Sequence, residues 1–301
     1  MTQHLTPRAL ALVSLLTLLW GTNWMLFPLA VREVSVWTFR GVAMLGAGLM
    51  LLAVARARGQ SLRLPTAQRP RVVAAALIYL ALWNVASTYA AVLIPSGQAA
   101  LLGFTMPLWA ALFSWLVWRE PLRGRMRWAM LLGAVGVGLL MWRSLGAYAQ
   151  APLGVGLGLL AGIGWAAGTL ILKRGGVALQ GSVSATVLTG WQLLIAAVPV
   201  SIGAIAFAQG PWFMPSISSV LLISYITIVP MALGNLAWFS IVGLLPANVA
   251  GLSSIMVPVV AMVAGALVHG EPLGLVQWAA MVCCVAAIGL VMLKPARAAA
   301  P

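Results

Sequence analysis

Residues able to run acid–base, nucleophilic or metal chemistry are scarce in this chain. Its carboxylates are Glu33, Glu120 and Glu271, its histidines His4 and His269, and its two cysteines, Cys283 and Cys284, are adjacent. General acid–base catalysis needs a positioned titratable pair, and a metal site needs three or four converging ligands. No Walker motif, glycine-rich phosphate cradle or Cys/His cluster supplies these. Vicinal cysteines in an apolar run suit helix packing rather than an ordinary disulfide. What remains is recognition chemistry. Asn23, Asn84, Gln192 and Asn235 carry amides, Arg40 carries a charge, and Tyr79, Trp83, Trp165 and Trp191 carry flat rings, all within long apolar runs. Tyr79 and Trp83 stand at i and i+4, one helical turn apart on one face, which suits a flat substrate or ordinary core packing. Asn84 and Asn235 fit either a pathway or symmetry-related interhelical hydrogen bonds. The reading is a binding site with no catalytic residue, no metal and no cofactor.

The elements that must position these groups follow from composition. Of 301 residues, 63% are hydrophobic and 7% charged, and the mean hydropathy is +1.06. A soluble domain has roughly 45–50% apolar and 25% charged residues, so the partner of this surface is a lipid bilayer. The net charge of +14 arises from 17 Lys and Arg. They fall in short stretches between apolar runs and make no continuous basic face, so nucleic acid is not the expected partner.

A membrane helix needs about 20 apolar residues. Ten such runs are predicted, at 8–30, 34–54, 71–93, 95–117, 127–143, 152–172, 183–207, 217–242, 246–268 and 274–293. The first is longer than a signal-peptide core and lacks a small-x-small cleavage site, so it reads as a span. With the N-terminus inside, the basic stretches at Arg56–Arg71, Arg119–Arg127 and Lys173–Arg174 are cytoplasmic, and the outside receives Arg32 and Arg143. Both termini are then cytoplasmic by the positive-inside rule. The glutamates fall at membrane boundaries, and His269 beside Glu271 reads as an interfacial cap.

A shift of 151 residues superimposes one half of the sequence on the other. It pairs Asn84 with Asn235, Pro95 with Pro246, Pro107 with Pro258, and Glu120-Pro121-Leu122 with Glu271-Pro272-Leu273. Five helices per half make the copies opposite in orientation, the inverted-repeat plan of many secondary transporters, with substrate near the midplane between halves. The expected architecture is an all-α integral membrane protein of ten transmembrane helices in two inverted five-helix repeats, 1–148 and 149–301. Pro107 and Pro258 occupy equivalent mid-span positions and read as hinges or as static bends. Pro95 and Pro246 read as helix starts. Gly154, Gly158 and Gly162, then Gly164 and Gly168, repeat every fourth position and predict close approach of the sixth span to a neighbour.

These features resemble the drug/metabolite transporter superfamily, in particular its ten-helix EamA-type members. The resemblance rests on Leu19-Trp20-Gly21-Thr22-Asn23-Trp24, on Phe39-Arg40, on the two blocks ending in Glu-Pro-Leu, and on Lys173-Arg174 after the sixth span. Among such transporters the chain looks most like YddG-type aromatic amino acid exporters. That likeness implies a secondary transporter, not an enzyme, in a bacterial inner membrane, exporting aromatic amino acids or similar small molecules by alternating access. Aliphatic amino acids, nucleosides or drugs are the competing substrates, and cationic drugs are disfavoured because no buried carboxylate exists to meet them. With no acid inside the membrane to carry a proton, net flux is expected to follow the substrate gradient.

Overall fold

The computed structural model describes residues 7–94, 96–119, 124–143, 145–174, 183–207, 215–244, 254, 256–269 and 274–292. Among them there is no β-strand. Seven helical segments among the described residues are long and apolar enough to cross a membrane. These are α1 (Ala9–Ala30), α2 (Val36–Ala57), α3 (Thr66–Leu93), α4 (Ala99–Val117), α6 (Pro152–Leu172), α7 (Ala185–Phe207) and α8 (Ile217–Leu244). Three further helices, α5 (Arg125–Arg143), α9 (Met256–His269) and α10 (Leu275–Met292), complete the set. The predicted runs coincide with them to within about five residues, except that the start of the ninth run, 246–253, lies outside the described residues. An unpredicted short helix, Leu145–Gln150, fills the connection between α5 and α6. The tight connection between α3 and α4 is present, with one helix ending at Leu93 and the next beginning at Ser96.

Contacts between helices come in mated pairs under the 151-residue shift. α2 packs on α7 and α5 on α10. α3 and α4 pack on α6 as α8 and α9 pack on α1, and α8 packs on α2 as α3 packs on α7. Glycines set the distance on α6. A Cβ on Gly158 would lie 2.9 Å from Leu102 Cβ and one on Gly164 would lie 2.8 Å from the Ile78 carbonyl, so the two glycine rows seat α6 on α4 and α3. Cys283 and Cys284 are free thiols on α10. A Cβ on Gly136 of α5 would lie 3.0 Å from Cys284 Sγ, so this pair packs helix on helix.

α3, α4 and α8 are not the uniform rods that hydropathy implies. α3 opens into a π-helical stretch at Ala76–Ala81 and α8 into another at Thr227–Gly234. The two begin at positions related by the same 151-residue shift. In α8, Pro230 lies inside the wide stretch and has no N–H to donate, which breaks the α ladder. Within three residues after each stretch an asparagine bonds back to the helix: Asn84 Nδ2 donates to the Leu80 carbonyl at 2.8 Å, and Asn235 Nδ2 to the Met231 carbonyl at 2.7 Å. α4 is interrupted at Phe104 and Thr105, between the segments Ser96–Gly103 and Met106–Trp118. Pro107 therefore occupies the first turn of a new segment, where its missing N–H costs little. Pro258 likewise lies in the first turn of α9. The chain is interrupted just before Pro107, which therefore opens a segment and does not sit within a continuous helix. Pro95, Pro246, Glu120 and Glu271 lie outside the described residues.

Candidate functional site

One cavity lies between the halves, walled by α1, α2, α3 and α4 on one side and α6 and α8 on the other. The centre of a water-sized sphere has about 40 Å³ in which to move there, room for water but not for a flat metabolite without the walls parting. Its wall has three levels along the spans.

At the level nearest the α1–α2 connection sits Arg40, 2% exposed and in the second turn of α2. Its Nε donates to Thr88 Oγ1 at 2.6 Å, and its guanidinium carbon lies 4.0 Å from the Phe27 ring centroid and 4.7 Å from that of Phe39. Cation–π contacts of this kind contribute about 2 kcal/mol when desolvated, far less than a buried ion forfeits in hydration. Nη2 has no hydrogen-bond partner among the described residues. Thr88 passes the polarity on by donating to the Asn84 carbonyl at 2.7 Å.

One helical turn further in, about 6 Å along α3, lies Asn84; Asn23 on α1 and Asn235 on α8 line the same cavity, and all three are buried. Because the Asn235 amide nitrogen is committed to the Met231 carbonyl, its Oδ1 is fixed as the atom left over. Asn23 Oδ1 and Asn235 Oδ1 are both buried without a partner among the described residues.

The remaining wall is aromatic. Trp165 of α6 meets Trp83 at 4.5 Å, Tyr79 at 4.7 Å and Trp20 at 5.1 Å between ring centroids, each near edge-to-face. Trp83, Trp24 and Phe104 close a second triangle at 5.8–6.0 Å. Such pairs contribute about 0.5–1.5 kcal/mol each beyond burial. Two glycines permit the arrangement: a Cβ on Gly103 would lie 2.9 Å from the Trp83 ring, and one on Gly234 would overlap the indole of Trp20. The Trp20 Nε1 donates to the Pro230 carbonyl at 3.1 Å, which ties α1 to the π-helical stretch of α8. The Trp165 Nε1 is buried and has no partner among the described residues.

Six of the residues singled out from sequence, Asn23, Arg40, Trp83, Asn84, Trp165 and Asn235, line this cavity. Tyr79 stands one layer behind, fully buried between Trp165 and Phe239. Trp191 is elsewhere: its Nε1 donates to the Leu62 carbonyl at 2.8 Å and anchors the α2–α3 connection to α7. Gln192, fully buried, is not part of the wall, and its amide has no partner among the described residues. Sequence reasoning did not place Trp20, Trp24, Phe27 and Phe104 in the site. With Asn23, the first three occupy positions i, i+4, i+7 and i+3, one face of a helix, and that stripe was the available signal.

A model of the EamA-like transporter family matches residues 7–142 and again 152–293. The chain belongs to that family. Similar curated proteins include the transporter YvbV of Bacillus subtilis (strain 168), 30% identical over 290 residues, covering 95% of this chain and 92% of that one. The inner membrane transporter YedA of Escherichia coli (strain K12) is 29% identical over 283 residues, covering 92% and 88%. Both are named as uncharacterized transporters. A solved crystal structure superposes with a TM-score of 0.74 over 95% of this chain at 22% identity, and shares the fold. This member of the EamA-like family is thus a multi-pass membrane transporter.

Proposed function

We propose that the chain is a secondary transporter that exports aromatic amino acids and similar small amphipathic metabolites across the inner membrane, by alternating access around the central cavity. One observation carries the reading. A cavity between the halves combines a cluster of edge-to-face rings with four polar atoms that have no partner among the described residues, Arg40 Nη2, Trp165 Nε1, Asn23 Oδ1 and Asn235 Oδ1. A flat substrate entering it exchanges ring–ring contacts of Trp165 for its own, so the aromatic energy is kept while the walls part. Mated helix contacts support a division into inverted halves, 1–148 and 149–301, that rock about the cavity. Pro107 and Pro258, each in the first turn of its helical segment, together with the π-helical stretches, supply places to bend. Both termini face the cytoplasm in this scheme, which puts Arg40 on the side of the cavity nearer the outer face.

Counterflow in liposomes loaded with labelled phenylalanine, tyrosine, tryptophan, leucine or a nucleoside tests the reading. Exchange of the three aromatic amino acids above the others is the expected result. Preference for leucine or the nucleoside refutes the aromatic assignment and makes the chain an exporter of other substrates on the same fold.

A further inference from the structure

The central cavity holds a buried cation with no counter-ion among the described residues. Arg40 is 2% exposed, its one hydrogen bond among those residues runs to a neutral hydroxyl, and its remaining support there is two phenyl faces. The chain contains three carboxylates in all. Of these, Glu33 accepts from Ser216 at the start of α8 and so is engaged elsewhere, and Glu120 and Glu271 lie outside the described residues. A buried ion left unpaired is among the costliest features a fold can carry, and a guanidinium is matched best by the two oxygens of a carboxylate.

We infer that the cavity selects carboxylates through Arg40, and that substrate binds carboxylate-first. This rests on the reading of the cavity as the transport site. A carboxylate at Nη2 places its neighbouring carbon inside the cavity that Asn23 and Asn235 also line. Both present acceptor oxygens without donors among the described residues, so the group next to the carboxylate is an N–H or O–H donor, as in an α-amino or α-hydroxy acid. The rest of the molecule then points at Trp20, Trp83 and Trp165. The selected class is wider than amino acids and more sharply bounded by charge. Aromatic α-hydroxy acids belong to it, whereas aromatic amines and amides do not.

Uptake of labelled phenylalanine, 3-phenyllactate, 3-phenyllactamide and phenethylamine into proteoliposomes of the wild-type protein decides the matter without any variant. Phenylalanine and phenyllactate should be carried about tenfold or more faster than phenyllactamide and phenethylamine, the ratio expected for one charge-assisted hydrogen bond. Equal transport of phenyllactate and phenyllactamide overturns the inference and leaves the aromatic reading standing. Transport of none of the four overturns both. Arg40→Gln supplies the second arm, because exchanging a buried ion for a neutral group is often tolerated. It should bring the phenyllactate to phenyllactamide ratio close to one, and a ratio unchanged from wild type removes Arg40 from the assignment.

Discussion

Gly162 marks the tightest approach of α6 to the interrupted stretch of α4, and alanine there is a sharp test of how the two are joined. A Cβ at this position would lie 2.8 Å from the Gly103 carbonyl oxygen, 3.1 Å from the Leu102 carbonyl oxygen and 3.1 Å from Thr105 Oγ1. Ordinary contact begins at about 3.4 Å, so α6 must lift by roughly half an ångström against backbone atoms that cannot rotate away. Gly103 is the residue four before Pro107, so its carbonyl has no N–H to accept from there. Thr105 is held by its own donation to Leu102 at 2.6 Å and by the Trp109 indole at 3.0 Å. Overpacking of this kind costs about 1–3 kcal/mol, partly offset by about 1 kcal/mol of better helix propensity. Gly156, on the same helix with nothing within 4 Å of its Cβ, has the gain without the cost. Gly162→Ala should therefore lie about 1–3 kcal/mol below Gly156→Ala in stability, a difference of several degrees in melting temperature in detergent. Transport by Gly162→Ala should fall as well, since Trp165 rides on the displaced helix. Coincident melting curves for the two variants would show that α4 and α6 are not in the close contact described.

Replacing Trp83 or Trp165 with Ala should reduce transport of aromatic substrates, each ring contact contributing about 0.5–1.5 kcal/mol, whereas Tyr79→Ala should lower stability more than substrate affinity because Tyr79 is behind the wall; counterflow and melting curves on the three variants separate the two effects. Glu33, held below its usual carboxylate range first by the Ser216 backbone N–H and then by the Ser216 hydroxyl, contributes stability that is present above pH 4.5, the ordinary value, and is lost as pH falls through the depressed one. Melting temperatures of wild type and Glu33→Gln should thus differ at pH 7 and converge in acid, and a gap that persists in acid contradicts the linkage. For topology, cysteines placed in the Arg56–Arg71 connection should be labelled by an impermeant reagent only after the cell is opened, and labelling of intact cells reverses the assigned orientation.

The fold was legible because apolar runs of membrane length are separated by charge, and because two asparagines and several prolines recur at one fixed shift. The candidate site was legible in part. Asn23, Arg40, Asn84 and Asn235 stood out since polar groups are expensive inside a bilayer. Tyr79 was read as a partner of Trp83 at 3.6 residues per turn, but it lies in the π-helical Ala76–Ala81, whose wider turn sets its ring behind Trp165. Trp191 adjoins Gln192 in sequence, yet neighbouring residues point about 100° apart on a helix, and its indole turns to a loop carbonyl. The π-helical stretch of α3 has no proline to announce it. The break in α4 falls before Pro107 and not at it, beside Gly103, whose carbonyl Pro107 cannot meet and where Trp83 and Gly162 approach closely.

The account centres on a cavity that opens to each side of the membrane in turn. Ile226 lines it and takes no part in the polar contacts. Ile226→Cys, in a background where Cys283 and Cys284 are Ala, places one thiol in the wall. In sealed vesicles of known orientation, an impermeant maleimide should label that thiol from either face, and phenylalanine should slow labelling from both. Labelling from one face alone, at a rate indifferent to phenylalanine, would contradict alternating access through this cavity.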